Sequence, residues 1–192
     1  MDKRYEIATQ FVGHYRPISS EGIKALAQVM EPVTLAKGET FVCEGDVVRY
    51  IYYIEKGMVR QFYFKNKRDL TEHIAYEGQV VICLESYIRL VPTSLMAETL
   101  EPTVIWRISK DDFYRLNDDF REIDLLYRKI FEYALLVSQH KADNTRFETA
   151  RDRYRILMEN HPEIIKRAPM MYIASLLQMS PETLSRVRAA MV

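Results

Sequence analysis

Two hydrophobic periodicities divide this chain. From Val33 to Ile108 the apolar residues come in short runs rich in Val, Ile, Tyr, Phe and Thr. Tyr50-Ile51-Tyr52-Tyr53-Ile54 and Met58 to Phe64 are two of them, and others fall at 40–43, 71–75, 80–84, 95–100 and 103–108. Gly38, Gly45, Gly78, Pro92 and Pro102 bound these runs, a pattern that predicts a compact antiparallel barrel or sandwich. Glu55-Lys56-Gly57 reads as the turn of a hairpin, with Gly57 supplying the positive φ. The lone Trp106 is expected in the core. On either side the pattern turns helical. Residues 3–12 and 20–30 predict short helices, the second entered through Ser19-Ser20, and Ser109 with Asp112 forms an acidic N-cap for 110–116.

A much longer helix is predicted from about Asp119 to Asn144, a stretch free of Gly and Pro. Ile123, Ile130 and Val137 recur at heptad spacing, with Leu126 and Tyr133 on the neighbouring line. β-Branched residues at successive a positions favour a parallel two-stranded coiled coil, and Asn144 continues the series as a polar register position. These five side chains are the expected dimer interface. The alternative is an amphipathic helix packed on its own domain, because the pattern covers only about three heptads.

Composition narrows the class. The 192 residues hold 28% charged and 48% hydrophobic side chains, ordinary for a globular protein of one large or two small domains. No apolar run approaches the roughly 18 residues that span a bilayer, and the N-terminus lacks the apolar core of a secretory signal, so the cytoplasm is the expected compartment, with no membrane partner. Two cysteines, Cys43 and Cys83, and four histidines without ligand spacing predict no metal or other cofactor. With no nucleophile–base pair and no phosphate-cradling glycine loop, catalysis is not expected. The 27 basic and 27 acidic residues balance overall, but residues 146–192 carry 8 basic against 5 acidic. Only that last quarter is suited to a polyanion.

The same quarter carries the most specific motif. An amphipathic helix over 149–160 presents Tyr154, Ile156, Leu157 and Met158 on one side, with Arg151, Arg153 and Arg155 mostly outward, and Pro162 ends it. Met170 to Leu177, the corner Gln178-Met179, and Ser180 to Arg188 then read as helix-turn-helix. Ile173 and Leu177 on one helix, and Leu184 and Val187 on the other, make the buried stripes, while Ala174 lets the helices cross closely. Ser180 caps the second helix and Pro181 fits its first turn. The outward face holds Glu182, Thr183, Ser185 and Arg186. In the major groove of double-stranded DNA, Arg186 can donate to guanine and Glu182 can accept from cytosine, while Ser180, Ser185, Arg188 and Arg151 reach phosphates. The rival reading is an intramolecular Glu182–Arg186 pair on a solvated helix.

The segments Ile173 to Leu177 and Glu182 to Arg188 resemble the DNA-binding motif of Crp/Fnr regulators, relatives of the cyclic-AMP receptor protein. Gly38, Glu44-Gly45-Asp46, Tyr52 to Val59 and Ile108-Ser109 are similar to the family's cyclic-nucleotide-binding β-roll, and Leu135 to Asn144 to the end of its dimer helix. The resemblance covers essentially the whole chain. It implies an α+β fold of three parts: an N-terminal antiparallel β-roll over 1–118, a dimerisation helix over 119–145, and a C-terminal winged helix-turn-helix over 146–192.

Departures from the family shape the expected function. Nucleotide-binding members use Gly-Glu-Leu followed by Arg-Ser-Ala; here the matching stretches are Ile82-Cys83-Leu84 and Thr93-Ser94-Leu95. Cys83 replaces the glutamate and Thr93 the arginine, so a buried cyclic phosphate would lack its cation. Ser94, and Ser138 and Gln139 on the long helix, keep polar character at the family's ligand positions, which leaves an unknown small effector open. Gln178 stands where the corner commonly has glycine; a left-handed backbone there costs about 1 to 2 kcal/mol. The expectation is a homodimeric transcription regulator that binds DNA, with RNA polymerase as a further partner and without ordinary cyclic-AMP control. The alternative is a small-ligand sensor acting through a protein partner, its helix-turn-helix unused for DNA.

Overall fold

Gly57 does not close a hairpin. In the computed structural model, which describes residues 2–191, β3 (Tyr50–Lys56) and β4 (Met58–Lys65) leave Gly57 into different sheets. Gly57 has φ 103°, and this left-handed residue carries the chain across the roll where a two-residue turn would have paired the strands. One sheet has the order β1 (Glu31–Leu35), β8 (Thr103–Ser109), β3, β6 (Val80–Val81). The other runs β2 (Thr40–Val42), β7 (Met96–Thr99), β4, β5 (Arg68–Tyr76). All pairings are antiparallel.

The tight hairpin lies one strand later. β4 and β5 pair from Met58↔Tyr76 to Lys65↔Arg68, so only Asn66 and Lys67 form the loop. Their φ values of 53° and 60° are those of a type I′ turn. Lysine in the place where glycine usually follows asparagine hid this turn from a reading of turn dipeptides.

Leu35, Val42, Ile54, Val59, Ala75, Val81, Cys83, Ala97 and Ile105 fill the space between the sheets. A second core forms where helices cover the β3 side of the roll. It joins Ile7 and Phe11 of α1 (Lys3–Tyr15), Leu26 of α2 (Ser20–Val29) and Phe113 of α4 (Lys110–Asp119) to Tyr53 and Trp106. Trp106 is buried as expected, its indole N–H donating to Glu55 at 2.6 Å. Ser19 and Ser109 cap α2 and α4 by accepting from Gly22 and Asp112 amides. The short α3 (Leu84–Arg89) ends at Leu90, another left-handed residue.

The long helix, α5 (Arg121–Phe147), belongs in its first half to this same core. Ile123, Leu126 and Ile130 are essentially without exposure and pack against α1, α2 and α4. Three of the five residues expected at the dimer seam are therefore unavailable to a partner. The heptad spacing arises because these side chains form the stripe of α5 that faces this core. Tyr133 is half-exposed, its ring edge against Tyr15 at 5.7 Å, and Val137 is intermediate. The second half of α5 instead exposes Leu135 and Leu136, at 67% and 51%, besides Tyr133 and the terminal Phe147.

Four helices follow: α6 (Ala150–Asn160), α7 (Pro162–Arg167), α8 (Met170–Leu176) and α9 (Pro181–Ala189). Among the described residues no strand follows β8, so the expected wing is absent from this part of the chain. The helices close a third core that includes two side chains of the roll, Met58 and Ile74, with Tyr154, Leu157, Ile164, Ile173, Ala174, Leu177 and Leu184.

A buried cation joins the two parts. Arg60 of β4 is 1% exposed. Its guanidinium grips Asp69 through two bonds of 2.8 and 2.7 Å and pairs with Glu98 at 2.8 Å. Its planar faces stack on Phe62 of the roll and Tyr172 of α8, at 4.0 and 3.7 Å from the ring centres. Removing the cation would strand the largely buried Glu98 carboxylate. Arg60→Met is therefore expected to cost about 3 kcal/mol in urea unfolding. Adding Glu98→Gln should recover part of that loss; an undiminished loss in the double variant would show that Glu98 is not the stranded charge.

Candidate nucleic-acid interface

The helix-turn-helix forms because its local chemistry and its packing agree. Ser180 accepts from the Thr183 amide at 3.2 Å, and Pro181 occupies the first turn of α9, where no amide bond is lost. Gln178 has φ 52°, so the corner does demand the left-handed backbone that glycine usually supplies. The Met179 amide donates to Ala174 and the Gln178 amide to Ser175, closing the end of α8. Leu184 is fully buried against Ile173, Ala174 and Leu177, and Val187 packs beside them.

This packing turns the predicted reading face outward. Glu182, Ser185, Arg186 and Arg188 are exposed and Thr183 is partly so. Among the described residues Glu182 and Arg186 form no ion pair; Arg186 donates a long bond of 3.4 Å to Thr183. The Ser180 hydroxyl, the free amides of the first turn and the Arg186 charge hold Glu182 below the usual carboxylate range, so it stays an acceptor at neutral pH. Arg188 leans over the Met170 thioether at 3.8 Å. Arg151 is exposed, as expected. Arg153 turns inward instead, donating to the Leu177 and Glu148 carbonyls at 3.0 and 2.8 Å, and so ties the corner to the start of α6. Arg155 is engaged by Asp152 and Glu159.

The roll interior gives a different picture for the predicted ligand residues. Cys83 is 2% exposed, and burial raises its thiol to about 11, so it is neutral at physiological pH. Buried Gln61 donates to the Ile82 carbonyl at 3.2 Å and lies 3.6 Å from the Cys83 sulfur. Thr93 is buried and satisfied locally: its hydroxyl donates to the Leu95 carbonyl and accepts from the Leu95 amide, while its backbone bonds Gly45 and Asp46. Ser86 is likewise used up between the Val48 amide and the Val91 carbonyl. Ser94 faces solvent. Ser138 and Gln139 are exposed on α5 and form no hydrogen bond with Cys83 or Thr93 among the described residues. Arg89 is spent on Glu85 outside α3. The five ligand candidates are thus not assembled into one site. The cassette offers a cyclic phosphate no guanidinium and a ribose no carboxylate, and these residues do not fit a cyclic nucleotide.

Sequence reasoning missed the seam between roll and head. Besides Arg60–Tyr172, the Thr71 amide of β5 donates to the Ser175 hydroxyl of α8 at 2.9 Å. Arg167 of α7 bonds Glu77 at 2.8 and 3.0 Å and also grips Glu101 and Glu163. Lys141 of α5 pairs with Glu72 at 2.6 Å, and the Tyr76 hydroxyl meets His161 at 3.3 Å. Apart from the local Arg167–Glu163 pair, the partners lie 66 to 112 residues apart, so no local motif announces them. The only signal in the sequence is an excess of charged and aromatic residues on a strand expected to be half-buried.

With this geometry the comparisons fall into place. A model of the cyclic nucleotide-binding domain matches residues 32–119. The catabolite activator protein of Thermus thermophilus is 20% identical, over 91% of this chain and 84% of its own, with a TM-score of 0.57. FixK2 of Bradyrhizobium japonicum is 17% identical over 85% of this chain and 84% of its own, at 0.70. The c-di-GMP responsive global regulator CLP of Xanthomonas campestris is 18% identical over 90% and 91%, at 0.67. No curated protein matches the chain significantly. The roll, long helix and helix-turn-helix thus share the fold of these three proteins. The family model covers the β-roll, just under half of the chain.

The seam carries a titratable group. His73 of β5 is held down to about 4 by burial first, then by the charge of Lys141 and by His161. Unfolded, it titrates near 6.5, so between 6.5 and 4 the unfolded chain binds the extra proton. This contribution to stability is complete above about pH 6.5 and is lost as the pH falls towards 4. The melting temperature of His73→Gln is expected to fall less than that of the parent between pH 7 and 4.5. Parallel curves would show that His73 is not the proton acceptor.

Proposed function

We propose that the chain is a homodimeric, sequence-specific DNA-binding transcription regulator that acts in the cytoplasm, has RNA polymerase as a further partner, and is not controlled by ordinary cyclic-AMP binding. One observation carries the DNA reading: α9 packs Leu184 and Val187 against its neighbours and leaves Glu182, Ser185 and Arg186 exposed on one outward face without ion pairs among the described residues, with Arg188 exposed at its flank. The self-satisfied Cys83 and Thr93 support independence from a cyclic nucleotide. A protein that sequesters no ligand in the roll would act through the fixed relation of head to roll and through the second subunit.

Dimerisation on this reading uses the outer side of α5, where Leu135 and Leu136 face solvent. Two such helices would set their reading heads about 34 Å apart, one turn of duplex. The first test is selection from random duplex DNA with no ligand added, in which an inverted repeat should be enriched. Arg186→Ala is expected to lose roughly 1 to 3 kcal/mol of discrimination at a single base pair of that site. An equal loss on cognate and scrambled DNA would make Arg186 a phosphate contact. Leu135→Asp combined with Leu136→Asp should give folded monomers in sedimentation velocity; an intact dimer would place the seam elsewhere.

A further inference from the structure

The β4–β5 hairpin ends in a run of positive charge that no other part of the chain uses. Lys65, Lys67 and Arg68 are all exposed, and none has an ion-pair partner among the described residues. The next residue, Asp69, is committed to Arg60 and does not neutralise them. Asn66 and Lys67, both left-handed, hold the loop in a tight turn, so the three cations are presented by a stiff ribbon. Lys65, Asn66, Arg68 and Leu70 together line a concavity at its end.

The base of this ribbon is bolted to the helix-turn-helix. Thr71 bonds Ser175, and Asp69 holds the guanidinium on which Tyr172 stacks; both of those partners lie on α8, the helix that supports the reading helix. The tip extends past Thr71 by the three residues to Arg68, about 10 Å of strand. It therefore keeps a fixed place beside the head. Lysine and arginine without carboxylate partners, on a rigid strand pair next to a helix-turn-helix, suit one ligand above others: the phosphate backbone of the duplex that the head engages.

We infer that the Lys65–Arg68 hairpin tip is a second phosphate-contacting element of the DNA interface, contributed by the roll. The inference rests on the DNA-binding reading above. It adds a sequence-independent contact, and each phosphate neutralised contributes about 0.9 to the slope of log affinity against log salt concentration.

The test compares the full-length protein with the variant Lys65→Gln, Lys67→Gln, Arg68→Gln, using the inverted repeat obtained by selection and a scrambled duplex over a salt series. The expected result is a slope reduced by about two to three on both duplexes, with the ratio of the two affinities unchanged. The charge-preserving variant Lys65→Arg, Lys67→Arg, Arg68→Lys should keep the parent slope. A parent that binds DNA steeply with salt, and a glutamine variant with the same slope, overturns the inference alone. A parent with no salt-dependent DNA binding overturns the DNA reading and this inference with it. If the glutamine variant keeps its DNA slope but loses binding to phosphatidylserine vesicles, the tip contacts a lipid surface and the inference fails.

Discussion

The Arg60 guanidinium is the interaction on which the arrangement of this protein turns. A buried cation is costly to desolvate, and here two carboxylates and two aromatic faces offset that cost. Asp69, Glu98 and Phe62 belong to the roll, but Tyr172 belongs to the head. The guanidinium is therefore fully covered only when α8 lies on the β4–β5 ribbon. Thr71–Ser175 and the Arg167 contacts to Glu77 and Glu101 add direction to that seat, since hydrogen bonds and ion pairs are geometric where apolar contacts are not. The outward aim of α9 follows, because α9 is placed by α8 through Leu184.

The roll shows what happens to a binding cassette whose charged partners are missing. Without arginine at position 93, the buried backbone and hydroxyl groups have paired with one another, and Gln61 has taken up the carbonyl and sulfur left near position 83. Each internal bond is worth little by itself, but opening the cassette would leave several buried groups unpaired at once. The same sheet that would cradle a ligand in a nucleotide-binding member here carries the head.

α5 divides its work along its length. Its first half is a structural element of one protomer, sealed by Ile123, Leu126 and Ile130; its second half leaves the core and exposes Leu135 and Leu136. A regular heptad pattern cannot separate these cases. A seam and a core stripe both need apolar side chains every three to four residues, and only the neighbours decide which one forms.

The sequence by itself determined the order of the parts and the local geometry of the reading head. Strand runs, helix caps at Ser19, Ser109 and Ser180, the first-turn Pro181 and the helix-turn-helix stripe were legible because each depends on residues a few positions apart. That Cys83 and Thr93 stand where the resembled family has a glutamate and an arginine was legible too, because it is read directly from the residues. Only the tertiary structure decided that Gly57 crosses between sheets, that three of the five expected dimer-seam residues are core, and that Arg153 points inward. It alone placed Arg60, Tyr172 and Arg167 at one seam. These outcomes depend on which distant surfaces meet, and a buried charge or an apolar stripe carries no mark in the sequence of the partner that will cover it.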